Sequence, residues 1–298
     1  MSKIQKALEI LRKRSDSGPK NPKLSTSTEG VARARVRTRD LPEDGAVDEQ
    51  LPEFKLSVDL EELRNHGLQP RDEYIDFVGQ QFRRIKRPVL NTAFGLGVPD
   101  SDNANVIMLA SALPKTGKSF CAFNLATSIA RERDVGAVIV DADVLKPSIS
   151  RAFGLEDRIG LIDFLLDSTV SIDDILVGTD LHGIIVVPAG RQHEESTELL
   201  ASRRMRQFVK ALAERFRARA IIVDTPPLLL TNEAHVLAEN MGQIILVIEA
   251  GVSSQESALE ALGSLNRSKP INAILNKARG ASFGDYGGGG YGYYGAPG

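Results

Sequence analysis

From residue 105 onward, short runs of apolar, mostly β-branched residues alternate with segments of helical periodicity. The runs are NVIMLA, GAVIVD, GIIVVP, AIIVD, QIILVIEA and INAILN, beginning at residues 105, 136, 183, 220, 243 and 271. Strands that are apolar throughout and separated by helices are typical of a parallel sheet covered by helices on both faces. The sequence therefore predicts an α/β fold with a doubly wound, mostly parallel sheet.

The other segments set the domain boundaries. Residues 1–14 combine apolar residues at helical spacing with basic ones and predict a short amphipathic helix, which either docks on a partner or an anionic membrane surface or is a solvated terminal helix. Residues 15–54, rich in Ser, Pro, Gly and charge, predict a disordered linker. We expect one folded domain over 55–278 and a mobile Gly/Tyr-rich tail over 279–298. Within its helical lead-in, 55–90, helices are expected over 59–65 and 72–87, with Pro88 ending the second.

Composition excludes several classes of protein. The 37 basic and 39 acidic residues give a net charge of −2, which argues against extensive nucleic-acid binding. A single cysteine, Cys121, and four scattered histidines disfavour a disulfide scaffold and a zinc site. No apolar run approaches the ~18 residues of a membrane span, and the first residues lack the apolar core of a signal peptide. We therefore expect a cytoplasmic protein, soluble or peripheral to a membrane.

A phosphate-binding loop is predicted after the first apolar run, where Gly117, Lys118 and Ser119 precede a helical segment. Backbone amides at such a helix start cradle phosphates, the Lys118 ammonium reaches the outer phosphates, and the Ser119 hydroxyl can join a Mg²⁺ shell. Ala112 stands at the first glycine of the common GxxxxGK[ST] pattern, so that pattern is incomplete. The predicted nucleotide-binding residues are Pro114, Lys115, Thr116, Gly117, Lys118, Ser119 and Phe120.

Two further motifs place carboxylates at strand ends. Asp141 and Asp143 follow the second run, and Asp224 ends the fourth in the sequence DTPP. Ligands of open α/β sheets bind at this edge. Two carboxylates this close repel each other unless a cation lies between them. We expect Ser119, Asp143 and Asp224 to organise Mg²⁺, and either Asp141 or Asp143 to accept a proton from a nucleophile.

With these motifs, the chain from about residue 56 to the tail resembles the bacterial tyrosine kinases of exopolysaccharide biosynthesis, which share the P-loop fold of the division-site and partition ATPases. More narrowly, it is similar to the soluble tyrosine autokinases encoded with exosortase systems. The family's PxxGK[ST], DxD and DTPP motifs match residues 114–119, 141–143 and 224–227, and residues 198–205 resemble its ELLxSxxM helix. Residues 80–87 resemble the ExxRxxR helix through which such kinases assemble into rings.

The resemblance implies an ATP- and Mg²⁺-dependent tyrosine autokinase in polysaccharide production. Its implied partners are other copies of the chain, contacted through Gln80, Arg83 and Lys86, a separate transmembrane chain-length regulator that holds it at the inner membrane face, and a tyrosine phosphatase. Asn276, after the last strand, is implied either to contact adenine or to cap the strand. The implied phosphoacceptors are the tail tyrosines Tyr286, Tyr291, Tyr293 and Tyr294.

Four positions depart from the family pattern. Lys115 replaces a glycine, so either the loop loses its positive φ there or the lysine adds a phosphate contact. Leu145 replaces an arginine after DxD, and Gln80 and Lys86 replace a glutamate and an arginine of the ring helix. A non-catalytic ATP-dependent scaffold or ATPase switch is the alternative function. The glycine-rich tail favours the kinase, because it lets a tyrosine reach an active site.

Overall fold

One eight-stranded sheet organises the chain. The computed structural model describes residues 52, 55–95, 103–181 and 183–278. Within these ranges the strand order is β1–β4–β5–β3–β6–β2–β7–β8. Every neighbouring pair is parallel except β4 and β5, which confirms the α/β prediction. The strands are β1 (Lys55–Leu56), β2 (Val106–Ser111), β3 (Gly136–Asp141), β4 (Val177–Thr179), β5 (Ile184–Val187), β6 (Arg219–Asp224), β7 (Gln243–Glu249) and β8 (Ile271–Asn276).

Helices cover both faces of this sheet. In the described part of the chain they are α1 (Leu60–Asn65), α2 (Ile75–Phe94), α3 (Lys118–Ile129), α4 (Ser148–Ala152), α5 (Leu161–Leu166), α6 (Ile172–Ile175), α7 (Ser196–Leu200), α8 (Arg203–Arg215), α9 (Glu233–Asn240) and α10 (Gln255–Gly263), with a 3₁₀ turn at Asp72–Tyr74.

The core consists of two apolar layers separated by the sheet. Along β2, Met108 faces one layer and its neighbours Ile107 and Leu109 face the other. The first layer includes Phe208 of α8 and the second Leu125 of α3. Because both faces of the central strands are buried, their runs are apolar throughout, as the sequence indicated. The carboxyl ends of β2, β3 and β6, which are neighbours, meet at one edge.

Helix α2 differs from its predicted end. Pro88 lies inside the helix, which continues to Phe94, so the prediction that Pro88 stops it is wrong. A proline there removes the bond to the carbonyl of Arg84 and costs about 3 kcal/mol. Beyond the proline, Val89 is part of the second apolar layer and Ala93 is also buried. The Val89 carbonyl accepts a hydrogen bond from Gln243. Packing therefore outweighs the local preference.

Three predicted segments lie outside the described residues: the helix over 1–14, the linker over 15–54 apart from residue 52, and the tail over 279–298. Among the helices that the structure describes, none combines the length and the apolar character needed to cross a bilayer.

Candidate active site

The phosphate-binding loop connects β2 to α3. Gly117 precedes α3 with φ 86°, and Lys115 has φ 63°. The loop therefore keeps a positive φ at Lys115, and the alternative that the lysine removes this conformation is wrong. A left-handed conformation costs a non-glycine residue roughly 1–2 kcal/mol, so other contacts must hold the loop in place. The α3 N-terminus has no side-chain cap, which leaves its amides open to an anion.

Lys118 lies between two carboxylates. Its Nζ is 3.8 Å from Oδ2 of Asp143 and 3.7 Å from Oδ1 of Asp224. Asp141 is paired in register with Asp224 across β3 and β6, so all three acids meet at the carboxyl edge of the sheet. Three carboxylates and one ammonium form an acidic cluster, which the sequence predicted from strand ends alone.

Asp141 is completely buried behind this cluster. Its Oδ2 accepts hydrogen bonds from the backbone N–H and the hydroxyl of Ser150, at 2.7 and 2.8 Å, and the Ser150 Oγ accepts one from Ala189 N at 2.9 Å. Burial, and to a smaller extent the charge of Asp224, raise the pKa of Asp141 to about 8, although the Ser150 hydrogen bonds oppose the shift. Asp141 is therefore rigidly oriented and close to its titration point at neutral pH.

Asp143 is closer to solvent, with 12% of its side chain exposed. Burial raises its pKa, and the Lys118 ammonium lowers it. The backbone N–H of Lys146 donates to its Oδ1 at 3.3 Å. Of the two carboxylates of the DxD motif, Asp143 is therefore the one that an incoming group can reach.

Unpartnered buried atoms test whether Mg²⁺ and a nucleotide fit here. Both carboxylate oxygens of Asp224, Oδ1 of Asp141 and Oγ1 of Thr116 are buried without a hydrogen-bond partner. Leaving such groups unpaired is costly. Mg²⁺ takes oxygen ligands and usually keeps waters and phosphates in its shell, so the site fits Mg²⁺ with a nucleotide. Across the described ranges, no group of three or more His, Cys, Asp or Glu side chains is arranged to hold a metal by itself.

The predicted nucleotide-binding residues lie together, with one difference in role. Residues 114–119 form the loop and the start of α3, while the Phe120 ring packs edge-on against Phe82, with centroids 6.3 Å apart. Phe120 can therefore contribute only its backbone to the loop. The Asn276 side chain donates to the Thr116 carbonyl at 2.8 Å, which brings the end of β8 onto the loop.

The predicted subunit-contact residues separate into two environments on α2. Gln80 and Arg83 are exposed, whereas Lys86 is buried. The Lys86 Nζ donates to the Ser128 carbonyl at 2.7 Å and lies 2.6 Å from Oε1 of Glu132. Its ammonium thus binds the end of α3 within the subunit.

Sequence reasoning missed Ser150, Glu249 and Lys277. The Lys277 Nζ donates to the Lys115 carbonyl at 2.7 Å and lies 3.2 Å from Oε1 of Glu249. Lys277 directly follows Asn276 at a strand end, and that position was an available signal. Ser150 has no comparable signal, because it reaches Asp141 only through the fold.

Fold and site together define a P-loop nucleotide-binding protein. No family model matches the chain. It is 31% identical over 191 residues to the tyrosine-protein kinase YwqD of Bacillus subtilis strain 168, covering 63% of this chain and 77% of that protein. It is 30% identical over 187 residues to the tyrosine-protein kinase ptk of Acinetobacter johnsonii, covering 63% of this chain but only 24% of that longer protein.

A solved structure with the same fold is the kinase domain of Escherichia coli tyrosine kinase ETK. It aligns with a TM-score of 0.59 at 21% identity, covering 77% of this chain and 93% of that domain. The similarity to YwqD, of which 77% is covered at 31% identity, shows that the chain belongs to the bacterial tyrosine-protein kinases.

Proposed function

We propose that this chain transfers the γ-phosphoryl group of ATP to the tyrosines of its own C-terminal segment, Tyr286, Tyr291, Tyr293 and Tyr294. The observation that carries the proposal is the position of the Lys118 ammonium, within 4 Å of Asp143 and Asp224 beside a phosphate-binding loop. Family membership supports the acceptor class, because the relatives are tyrosine-protein kinases.

The loop and Lys118 bind and orient the nucleotide. We expect the amides of residues 115–119 to bind the phosphates and the Lys118 ammonium to balance charge that develops on the transferred group. Ser119, Asp143 and Asp224 would hold Mg²⁺, which when bound neutralises phosphate oxygens and fixes the leaving group. Asn276 binds the loop through the Thr116 carbonyl, and a contact between its side chain and adenine is part of the proposal.

Transfer forms a bond between the tyrosine oxygen and the γ-phosphorus and breaks the bond from that phosphorus to the bridging oxygen, so ADP leaves. The phenolic proton must go to a base within hydrogen-bond reach. Exposure supports Asp143 in that role, since Asp141 is fully buried and one of its oxygens is bonded to Ser150. Asp141 then acts as a positioning carboxyl behind Asp143.

The exposed positions Gln80 and Arg83 support a proposed contact between copies of the chain, so that one copy presents its tail to the next. A transmembrane chain-length regulator is proposed as the membrane partner and a tyrosine phosphatase as the enzyme that reverses the modification. In this proposal the kinase works at the inner face of the membrane and regulates polymerisation and export of an exopolysaccharide.

The test is incubation of the purified chain with ATP and Mg²⁺, followed by phosphotyrosine detection and a separate nucleotide-binding measurement. We expect signal from wild type and none from Lys118→Met. A chain truncated before Tyr286 should retain nucleotide binding but lose the signal, since Tyr74 is the one tyrosine left. Nucleotide binding without phosphotyrosine, even with the membrane partner added, would reject the kinase and favour an ATP-dependent switch. Equal labelling of the truncated chain would reject the tail as acceptor.

A further inference from the structure

The phosphate loop is held from outside by the end of β8. Two successive loop carbonyls accept hydrogen bonds from two successive residues: Thr116 from the Asn276 amide at 2.8 Å, and Lys115 from the Lys277 ammonium at 2.7 Å. The Asn276 side chain lies so close to the loop that a Cβ on Gly117 would stand 2.2 Å from its Nδ2. A side chain at position 117 would therefore have to displace the Asn276 amide.

An ion pair orients the Lys277 side chain, which is 47% exposed. Its Nζ lies 3.2 Å from Oε1 of Glu249, whose side chain is 16% exposed, and Glu249 pairs in register with Asn276 across β7 and β8. Lys277 has φ 55° and Lys115 has φ 63°, so two non-glycine residues in the left-handed region are joined by one hydrogen bond. Residues other than glycine keep this conformation only where contacts with the surrounding structure hold them in it.

We propose that Asn276, Lys277 and Glu249 form a loop clamp, a set of positioning residues that holds Lys115 in its left-handed conformation and so keeps the loop amides ready for phosphate. The inference rests on the proposed function, because it concerns the same nucleotide site. The residues of the loop clamp act through the loop backbone. A loop that is ordered before the nucleotide arrives does not lose conformational entropy on binding, so the nucleotide binds more tightly.

The chain offers a matched control for Lys277. Lys269 precedes β8 as Lys277 follows it, and the Lys269 ammonium donates to the backbone carbonyls of Glu239 and Met241. Both lysines thus bind backbone carbonyls at opposite ends of one strand, but only Lys277 touches the phosphate loop. A general loss of stability should affect both variants, whereas a loss of loop positioning should affect Lys277 alone.

The experiment measures the affinity of the full chain for Mg²⁺-ADP by calorimetry, with thermal melting as the fold control. We expect Lys277→Met to weaken ADP binding roughly tenfold, as for a lost charge-assisted hydrogen bond at a partly exposed site. Lys269→Met should stay within about twofold of wild type, because it leaves the loop intact. Lys277→Arg, which keeps N–H donors, should recover part of the loss.

The decisive variant is Lys115→Gly in the Lys277→Met background. Glycine adopts a positive φ without strain, so it should restore most of the ADP affinity that Lys277→Met removes. The proposal would be overturned if Lys277→Met bound ADP as tightly as wild type, or if the loss of ADP affinity in the double variant equalled the sum of the losses in the two single variants. If Lys277→Met does not fold, Glu249→Gln replaces it, and unchanged affinity in that variant would count against the clamp. Normal ADP binding without tyrosine phosphorylation in wild type would reject the proposed function and leave the clamp standing.

Discussion

Replacement of Gly117 by alanine tests the geometry of the phosphate loop. Gly117 has φ 86°, and an added Cβ would lie 2.2 Å from the Asn276 Nδ2. The left-handed conformation costs alanine about 1–2 kcal/mol. Displacement of Asn276 loses its hydrogen bond to Thr116, worth about 0.5–1.5 kcal/mol. Together we expect Gly117→Ala to lower the free energy of unfolding by about 2–3 kcal/mol, within the range of those two effects.

Gly154 provides the matched control. Its φ is 63°, and a Cβ there would meet nothing within 4 Å, so Gly154→Ala has the conformational cost without the collision. We expect this variant to lose about 1–2 kcal/mol and to bind ADP as wild type does. Urea unfolding of the nucleotide-free chain gives both free energies, and calorimetry gives both affinities.

The double variant Gly117→Ala/Asn276→Ala separates the collision from the backbone strain. Since Asn276→Ala removes the obstructing amide, the double variant should lose less free energy than the sum of the two single variants. Equal stability of Gly117→Ala and Gly154→Ala, or strict additivity in the double variant, would refute the close contact between β8 and the loop.

Three further substitutions test the fold and the buried charges. Lys86→Met should lower the unfolding free energy by about 1–3 kcal/mol, because it leaves the Ser128 carbonyl unpaired. Arg83→Ala, at an exposed position, should change the unfolding free energy by no more than about 0.5 kcal/mol and alter only the oligomeric state seen by light scattering. Equal losses of stability would contradict the different environments of Lys86 and Arg83. Pro88→Ala should raise the unfolding free energy by about 2 kcal/mol, since it restores a helix hydrogen bond at an exposed site. A loss of stability in this variant would contradict the claim that Pro88 destabilises the helix. Burial raises the pKa of Asp141 from 3.8 to about 8, so the folded chain holds a proton that the unfolded chain releases, and its stability falls as pH rises from about 4 to about 8. Asp141→Asn should therefore melt higher than wild type above pH 8 without nucleotide, and a lower melting temperature there would refute the shift.

The fold was predictable where local pattern and burial agree. The strands β2, β3, β5, β6 and β7 are apolar almost throughout because both faces of the sheet are covered there, whereas the edge strand β8 contains Asn272 and an exposed Leu275. The short strands β1 and β4 have no such pattern: they contain two and three residues, and pairing with their neighbours makes them strands. Pro88 predicted a helix end that the structure does not have, because burial of Val89 and Ala93 beyond it stabilises the continued helix.

The candidate site was predictable where its residues follow strands directly. Asp141, Asp143 and Asp224 could be identified because carboxyl ends of neighbouring parallel strands share an edge. Lys277 also follows a strand directly, but its position did not show that it meets the loop carbonyl of Lys115, which lies 162 residues away in the sequence. Ser150 likewise orients Asp141 through the turn of α4 and not through a motif.

A mixture of two variants tests tyrosine phosphorylation most directly. Lys118→Met keeps the tail but lacks the phosphate-binding ammonium, and a chain truncated before Tyr286 keeps the site but lacks the tail. With ATP and Mg²⁺, we expect mass spectrometry to find phosphate on Tyr286, Tyr291, Tyr293 or Tyr294 of the Lys118→Met chain, and none when either variant is incubated alone. No phosphotyrosine in the mixture while wild type phosphorylates itself would contradict transfer from one copy of the chain to the tail of another, and phosphate confined to Tyr74 would contradict the tail as substrate.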